Sequence, residues 1–144
     1  MLQYRKGNLF DYNLQNVTIA HACNALGVWG SGFALEFKNK FPKEFVLYKQ
    51  YCMDNTESSG SCHLTEKAAN LVTSTGYGRN VDPELVILQN TEKALDNLFG
   101  MKREGIIYSP KFNSGLFGIS WGKTEQILKS KLNGTDIKWI VWEL

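Results

Sequence analysis

Two short glycine-rich stretches are the parts of this chain best suited to chemistry. Asn24–Gly32 (NALGVWGSG) and Asn113–Gly118 (NSGLFG) hold five of the 13 glycines. Glycine lets backbone N–H groups approach an anion closely, and a helix that starts just after such a loop adds its positive end. Two loops of this kind can cradle a pyrophosphate from two sides, although the same glycines also serve tight turns. One titratable side chain lies near them in sequence. His21 sits in the apolar run that leads into the first loop; an imidazole with an ordinary pKa of about 6.5 suits proton transfer near neutrality. Its other reading is a hydrogen-bonded core histidine. Asp82 closes the loop 76–81 and precedes Pro83. It reads as a helix N-cap, worth about 1 kcal/mol.

The elements that must position these residues follow from hydrophobic pattern. Val17–Cys23 (VTIAHAC) is a compact, β-branched apolar run, as in a buried strand. Phe33, Phe37 and Phe41 recur at helical spacing, and Pro42 opens a second helix carrying Phe45, Tyr48 and Cys52. Strands are predicted over 61–65, 70–75, 105–108 and 137–142, with an edge strand at 2–5. Asp82-Pro83 starts a helix with the stripe Leu88, Thr91, Leu95 and Leu98, ending before Gly100. A last helix carries Trp121, Thr124, Leu128 and Leu132 and stops near Gly134. Strands alternating with helices imply an α/β domain with a central mixed sheet covered on both faces. In such sheets ligands bind where loops leave the carboxyl ends of strands, and both glycine loops are so placed.

Composition narrows the class. The chain has 144 residues, 43% hydrophobic and 21% charged, with 16 basic and 14 acidic side chains for a net charge of +2. That fits one globular domain, residues 1–144, and argues against disorder. No apolar run is long enough for a membrane span or a signal peptide. The charge balance carries no strong nucleic-acid footprint. Three cysteines without CxxC spacing and two histidines point to free thiols in a reducing, cytoplasmic setting, with no structural metal site expected. Two motifs fail on spacing. Gly27-x-x-Gly30-x-Gly32 is not GxGxxG, and no acidic residue follows at ribose-reading distance. Gly118–Thr124 lacks the glycine that a Walker A loop needs at position 117, which is Phe117.

The ordered set KGN (Lys6–Asn8), IAHACN (Ile19–Asn24), GxWGxGxA (Gly27–Ala34), Phe41-Pro42, NSGLFG (Asn113–Gly118) and WxKTE (Trp121–Glu125) resembles the macro domain across nearly the whole chain. It is most similar to the small ADP-ribose 1″-phosphate phosphatases of fungi and bacteriophages. The resemblance implies a three-layer α/β/α sandwich with ADP-ribose between the two glycine loops. It implies hydrolysis of the terminal phosphate by His21 and Asp82; no cofactor or metal is expected, and the enzyme is expected to be a cytoplasmic monomer. Asn8 and Leu9 would meet the adenine end, where the family usually carries an aspartate; Asn8 also reads as a turn residue after Gly7. Asn24 would meet the distal ribose. Gly30, Ser31 and Gly32 would offer N–H groups to the diphosphate, with Asn113, Ser114, Gly115, Leu116, Phe117 and Gly118 closing from the other side. Phe117 would lie against the distal ribose, or is simply core. Two other functions fit the same cleft: a module that binds ADP-ribose without turnover, and a hydrolase that removes ADP-ribose from macromolecules. A lysine-dependent branch of that hydrolase class is disfavoured, because Leu71–Thr75 holds no lysine and its partner aspartate corresponds to Phe117.

Overall fold

The computed structural model describes all 144 residues and alternates strands with helices from end to end. Its elements are β1 (Leu2–Lys6), β2 (Val17–Asn24), α1 (Gly32–Lys40), α2 (Pro42–Asp54), β3 (Cys62–Leu64), β4 (Ala68–Ser74), α3 (Glu84–Met101), β5 (Glu104–Ser109), α4 (Trp121–Leu132) and β6 (Asp136–Glu143). One sheet carries them in the order β1-β6-β5-β2-β4-β3. Every pairing is parallel except β3 with β4, so the sheet is mixed, as expected.

Side chains alternate across the sheet and feed two cores. Ile19, Cys23, Val72, Tyr108 and Ile140 face α1 and α2, where Phe37, Tyr48 and Cys52 meet them. Ala20, Leu71, Ile107, Trp139 and Val141 face α3 and α4, against Leu95, Leu98, Leu128 and Leu132. Helices on both faces explain why β2 reads as an unbroken apolar run rather than an alternating one.

Both ends of helix α3 differ from the sequence reading. Helix α3 runs through Gly100 to Met101, with the Lys102 amide still donating to the Leu98 carbonyl. The apolar anchors Leu98 and Phe99 hold that last turn in the core. Asp82 is not the N-cap of α3. Pro83 occupies that position with an extended backbone (φ −59°, ψ 153°) and no side-chain cap, leaving the Asp82 carboxylate for other partners.

Because β1, β2, β4, β5 and β6 all run the same way, Lys6, Asn24, Ser74, Ser109 and Glu143 end at one edge of the sheet. The loops that follow β1, β2, β4 and β5 therefore gather there.

Candidate active site

The first glycine loop is shaped by Asn24 and anchored by Trp29. The Asn24 Oδ1 accepts from the Leu26 and Val28 amides at 3.2 and 3.1 Å, and its Nδ2 donates to the Val28 carbonyl at 2.8 Å. This buried amide, expected at the distal ribose, folds its own loop. Trp29 drops into the core, stacked on Phe37 and Tyr48 at 5.3 and 5.6 Å between ring centroids. The chain then rises through the exposed residues Gly30, Ser31 and Gly32 into α1. Gly32 has φ +60°, a conformation that costs an L-residue about 1–2 kcal/mol. The first backbone bond into α1 runs from the Leu35 amide to the Ser31 carbonyl, and the Ser31 hydroxyl makes no cap. The Gly32, Phe33 and Ala34 amides are thus unpaired at a positive helix end, an arrangement that attracts an oxyanion.

The second loop is held from below by Asn113. Its Oδ1 accepts from the Thr73 hydroxyl at 2.8 Å, and its Nδ2 donates to the Thr91 and Thr124 hydroxyls at 2.9 and 3.3 Å. This one amide, 3% exposed, ties β4, α3 and α4 to the loop, and asparagine tolerates its φ of 69°. Above it the Ile119 amide returns to the Asn113 carbonyl. Gly115 and Gly118 are exposed and Phe117 is half-buried. The Ser114 hydroxyl is buried without a hydrogen-bond partner. Leu116, 70% exposed, lies over the first loop: a Cβ at Gly32 would stand 3.6 Å from its Cδ1. The two glycine loops therefore converge.

Asn8 follows β1 at the same edge. Its Oδ1 caps a one-turn 3-10 helix, Leu9–Asp11, by accepting from the Phe10 amide at 3.0 Å, and its Nδ2 donates to Glu36 of α1 at 2.8 Å. Leu9 is buried beneath it. Trp142, whose ring Tyr12 covers at 4.5 Å, belongs to the core as Trp29 does.

Asp82 closes the loop after β4. Its Oδ2 accepts from the Thr75 amide at 2.7 Å, and its own amide donates to the Ser74 hydroxyl at 3.0 Å. Ser74 in turn donates to the Gly76 carbonyl. Two further bonds bring this loop against the first: the Ala25 amide donates to the carbonyls of Ser74 and Thr75. The half-buried carboxylate keeps Oδ1 without a protein partner.

His21 is placed differently. It lies three residues before the end of β2, about 10 Å back along the strand at ~3.3 Å per residue. The ring is 2% exposed and wedged among Trp29, Phe33 and Phe37 at 4.8–5.7 Å. Its Nε2 meets the Asn70 Oδ1 at 2.7 Å, and the Cys23 sulfur lies 3.3 Å from the same nitrogen. Burial lowers its pKa to about 4, so the ring is neutral at pH 7. The structure thus brings the two glycine loops and Asp82 to one edge and sets His21 in the layer beneath.

Sequence reasoning missed the threonine cradle of Asn113 and the Ser74 clasp of Asp82. Both join residues far apart in the chain, and no local pattern marks them.

Loops of this kind at the carboxyl edge of a mixed, helix-covered sheet define an α/β fold with its cleft at the strand ends. The macrodomain of Mycobacterium tuberculosis DarG shares it, with a TM-score of 0.82 at 22% identity over 100% of this chain and 98% of that one. The macrodomain of Thermus aquaticus DarG gives a TM-score of 0.79, also at 22% identity, covering 100% and 99% of the two chains. The Macro domain family model matches residues 20–128. The chain belongs to the macro domain family. A relative from Candida albicans, named ADP-ribose 1″-phosphate phosphatase, is 36% identical over 90% of this chain and 92% of its own.

Proposed function

We propose that this protein is an ADP-ribose 1″-phosphate phosphatase, hydrolysing the terminal phosphomonoester to ADP-ribose and inorganic phosphate. The observation that carries the reading is the likeness, along nearly the full length, to the Candida albicans protein of that name. The site supports it. The unpaired amides at the start of α1 and the orphan Ser114 hydroxyl suit the two phosphates of an ADP-ribose moiety. Asn8 at the β1 end suits the adenine side, and the loop after β2 suits the distal ribose.

Phosphoryl transfer asks for positioning and charge control more than for covalent chemistry by the protein. Water adds at phosphorus as the bond to the ribose 1″ oxygen breaks; the water's proton passes to a carboxylate and the departing oxygen takes one from solvent. Asp82 is the group we assign to the water: its Oδ1 is open while Oδ2 is fixed by the Thr75 amide. His21 keeps a part through position rather than proton transfer. Neutral and sealed in the core, it holds Asn70 and fills the space beneath the first loop. We take the enzyme to work as a cytoplasmic monomer on a small-molecule substrate.

The test is incubation of the purified protein with ADP-ribose 1″-phosphate, reading inorganic phosphate and ADP-ribose. Tight ADP-ribose binding without phosphate release would make the chain a binding module. Release of ADP-ribose from a modified macromolecule with the 1″-phosphate left intact would make it a hydrolase of the other kind.

A further inference from the structure

We propose that Arg79 recognises the terminal phosphate and sets the preference for the phosphorylated ligand over ADP-ribose. The inference rests on the functional reading above and adds the residue that reads the leaving phosphate.

The loops after β1, β2, β4 and β5 (residues 7–16, 25–31, 75–83 and 110–120) contain two cations, Arg79 and Lys111. Lys111 is engaged by Glu143 at 2.6 Å, and Lys6, at the end of β1, approaches the same carboxylate at 3.7 Å. Lys123, at the start of α4, pairs with Glu84 at 2.7 Å. The Arg5 guanidinium lies 5.8 Å from the centre of the Trp142 ring. Arg79 is exposed, and it makes no ion pair, hydrogen bond or ring contact. It is the unengaged cation of this edge.

The sheet order places the loops side by side as β1, then β5, β2 and β4. A ligand with its adenine at Asn8 and its distal ribose at the loop after β2 directs its 1″ group toward the loop after β4. That loop starts one strand spacing, about 5 Å, from the strand that carries Asn24. Arg79 sits at its tip, beside Gly78 and three residues before Asp82.

The loop is also built to hold its tip. Asp82 closes it through Thr75 and Ser74, and the Asn80 and Val81 amides donate back to the Tyr77 and Gly78 carbonyls. At its base Gly76 lies so close to the Asn80 carbonyl oxygen that a Cβ there would collide with it. A guanidinium on a preorganised loop matches the forked geometry of a phosphomonoester, which carries nearly two negative charges near pH 7 because its second pKa is about 6. The 1″-hydroxyl of ADP-ribose offers no such charge.

The experiment compares wild type, Arg79→Gln and Arg79→Lys. It measures the dissociation constants of ADP-ribose 1″-phosphate, at a temperature and time where turnover is negligible, and of ADP-ribose by calorimetry. Thermal unfolding serves as the control, since exposed substitutions of this type leave stability nearly unchanged. Arg79→Gln is expected to weaken the phosphorylated ligand by at least about ten-fold, the scale of a charge-assisted hydrogen bond, and ADP-ribose by less than a factor of two. Arg79→Lys is expected to recover part of the loss, keeping the charge without the fork. Equal weakening of both ligands, or no weakening of either, overturns the proposal. The functional reading fails separately, on absence of phosphate release by wild type, and the ligand preference can then still be read from binding alone.

Discussion

Replacing Asp82 separates chemistry from architecture, because its carboxylate is placed to serve both. One oxygen accepts from the Thr75 amide at 2.7 Å; the other faces no protein donor. Asp82→Asn keeps an acceptor oxygen for Thr75 and removes the charge. Asp82→Ala removes both. If Asp82 orders and activates water, Asp82→Asn lowers turnover by about 10²–10⁴-fold, the range for a general base. That is roughly 2.7–5.5 kcal/mol at 1.36 kcal/mol per decade. The structural effect is smaller and falls on the other variant. A charge-assisted hydrogen bond contributes about 1.5–3 kcal/mol, and the exposure of Thr75 reduces this to about 1 kcal/mol. Asp82→Ala should therefore unfold a few degrees lower, on the scale of about 4 °C per kcal/mol for a domain this size, while Asp82→Asn should melt with wild type. The assay is phosphate release at saturating ADP-ribose 1″-phosphate, beside thermal unfolding of all three proteins. Wild-type turnover in Asp82→Asn would refute the reasoning and leave Asp82 as a loop clasp alone.

Two further substitutions probe the loops and the layer beneath them. Gly32→Val places a β-branched side chain at φ +60° and against Leu116; it should weaken ADP-ribose binding by more than about 1.4 kcal/mol, or ten-fold, in a protein that still folds, and unchanged calorimetric affinity would show the anion cradle to be misplaced. His21 links stability to pH. Its folded pKa of about 4 lies below the ordinary 6.5, so the unfolded state binds the extra proton. The stabilisation is complete above pH 6.5 and is lost as pH falls through 4, amounting to about 3 kcal/mol at 1.36 kcal/mol per pH unit. Denaturant titrations from pH 7 to 4 should show this loss in wild type and its absence in His21→Gln. That variant should keep turnover within about ten-fold of wild type, below the usual general-acid range; a loss of a hundred-fold or more with the fold intact would return His21 to proton transfer.

The parts of this fold legible in sequence are those encoded by neighbours along the chain. The buried run of β2, the proline that opens α2 and the phenylalanine stripe of α1 all announce themselves through spacing. The two glycine loops were legible for the same reason, as strand–loop–helix junctions. Asp82-Pro83 misled because the pair has the composition of a helix start, whereas the carboxylate finds a better partner in the Thr75 amide across the loop. His21 adjoins a glycine loop in sequence, yet strand alternation turns it into the layer under α1, a consequence of which face α1 covers. The Asn113 cradle draws on Thr73, Thr91 and Thr124, from three separate elements, and only the folded sheet brings them together.

The most direct test of the proposed activity is a stoichiometric one. Purified protein incubated with ADP-ribose 1″-phosphate should release inorganic phosphate and ADP-ribose in equal amounts, with both traces lost together in Asp82→Asn. A wild-type protein that binds ADP-ribose tightly in the same preparation but releases no phosphate would contradict it.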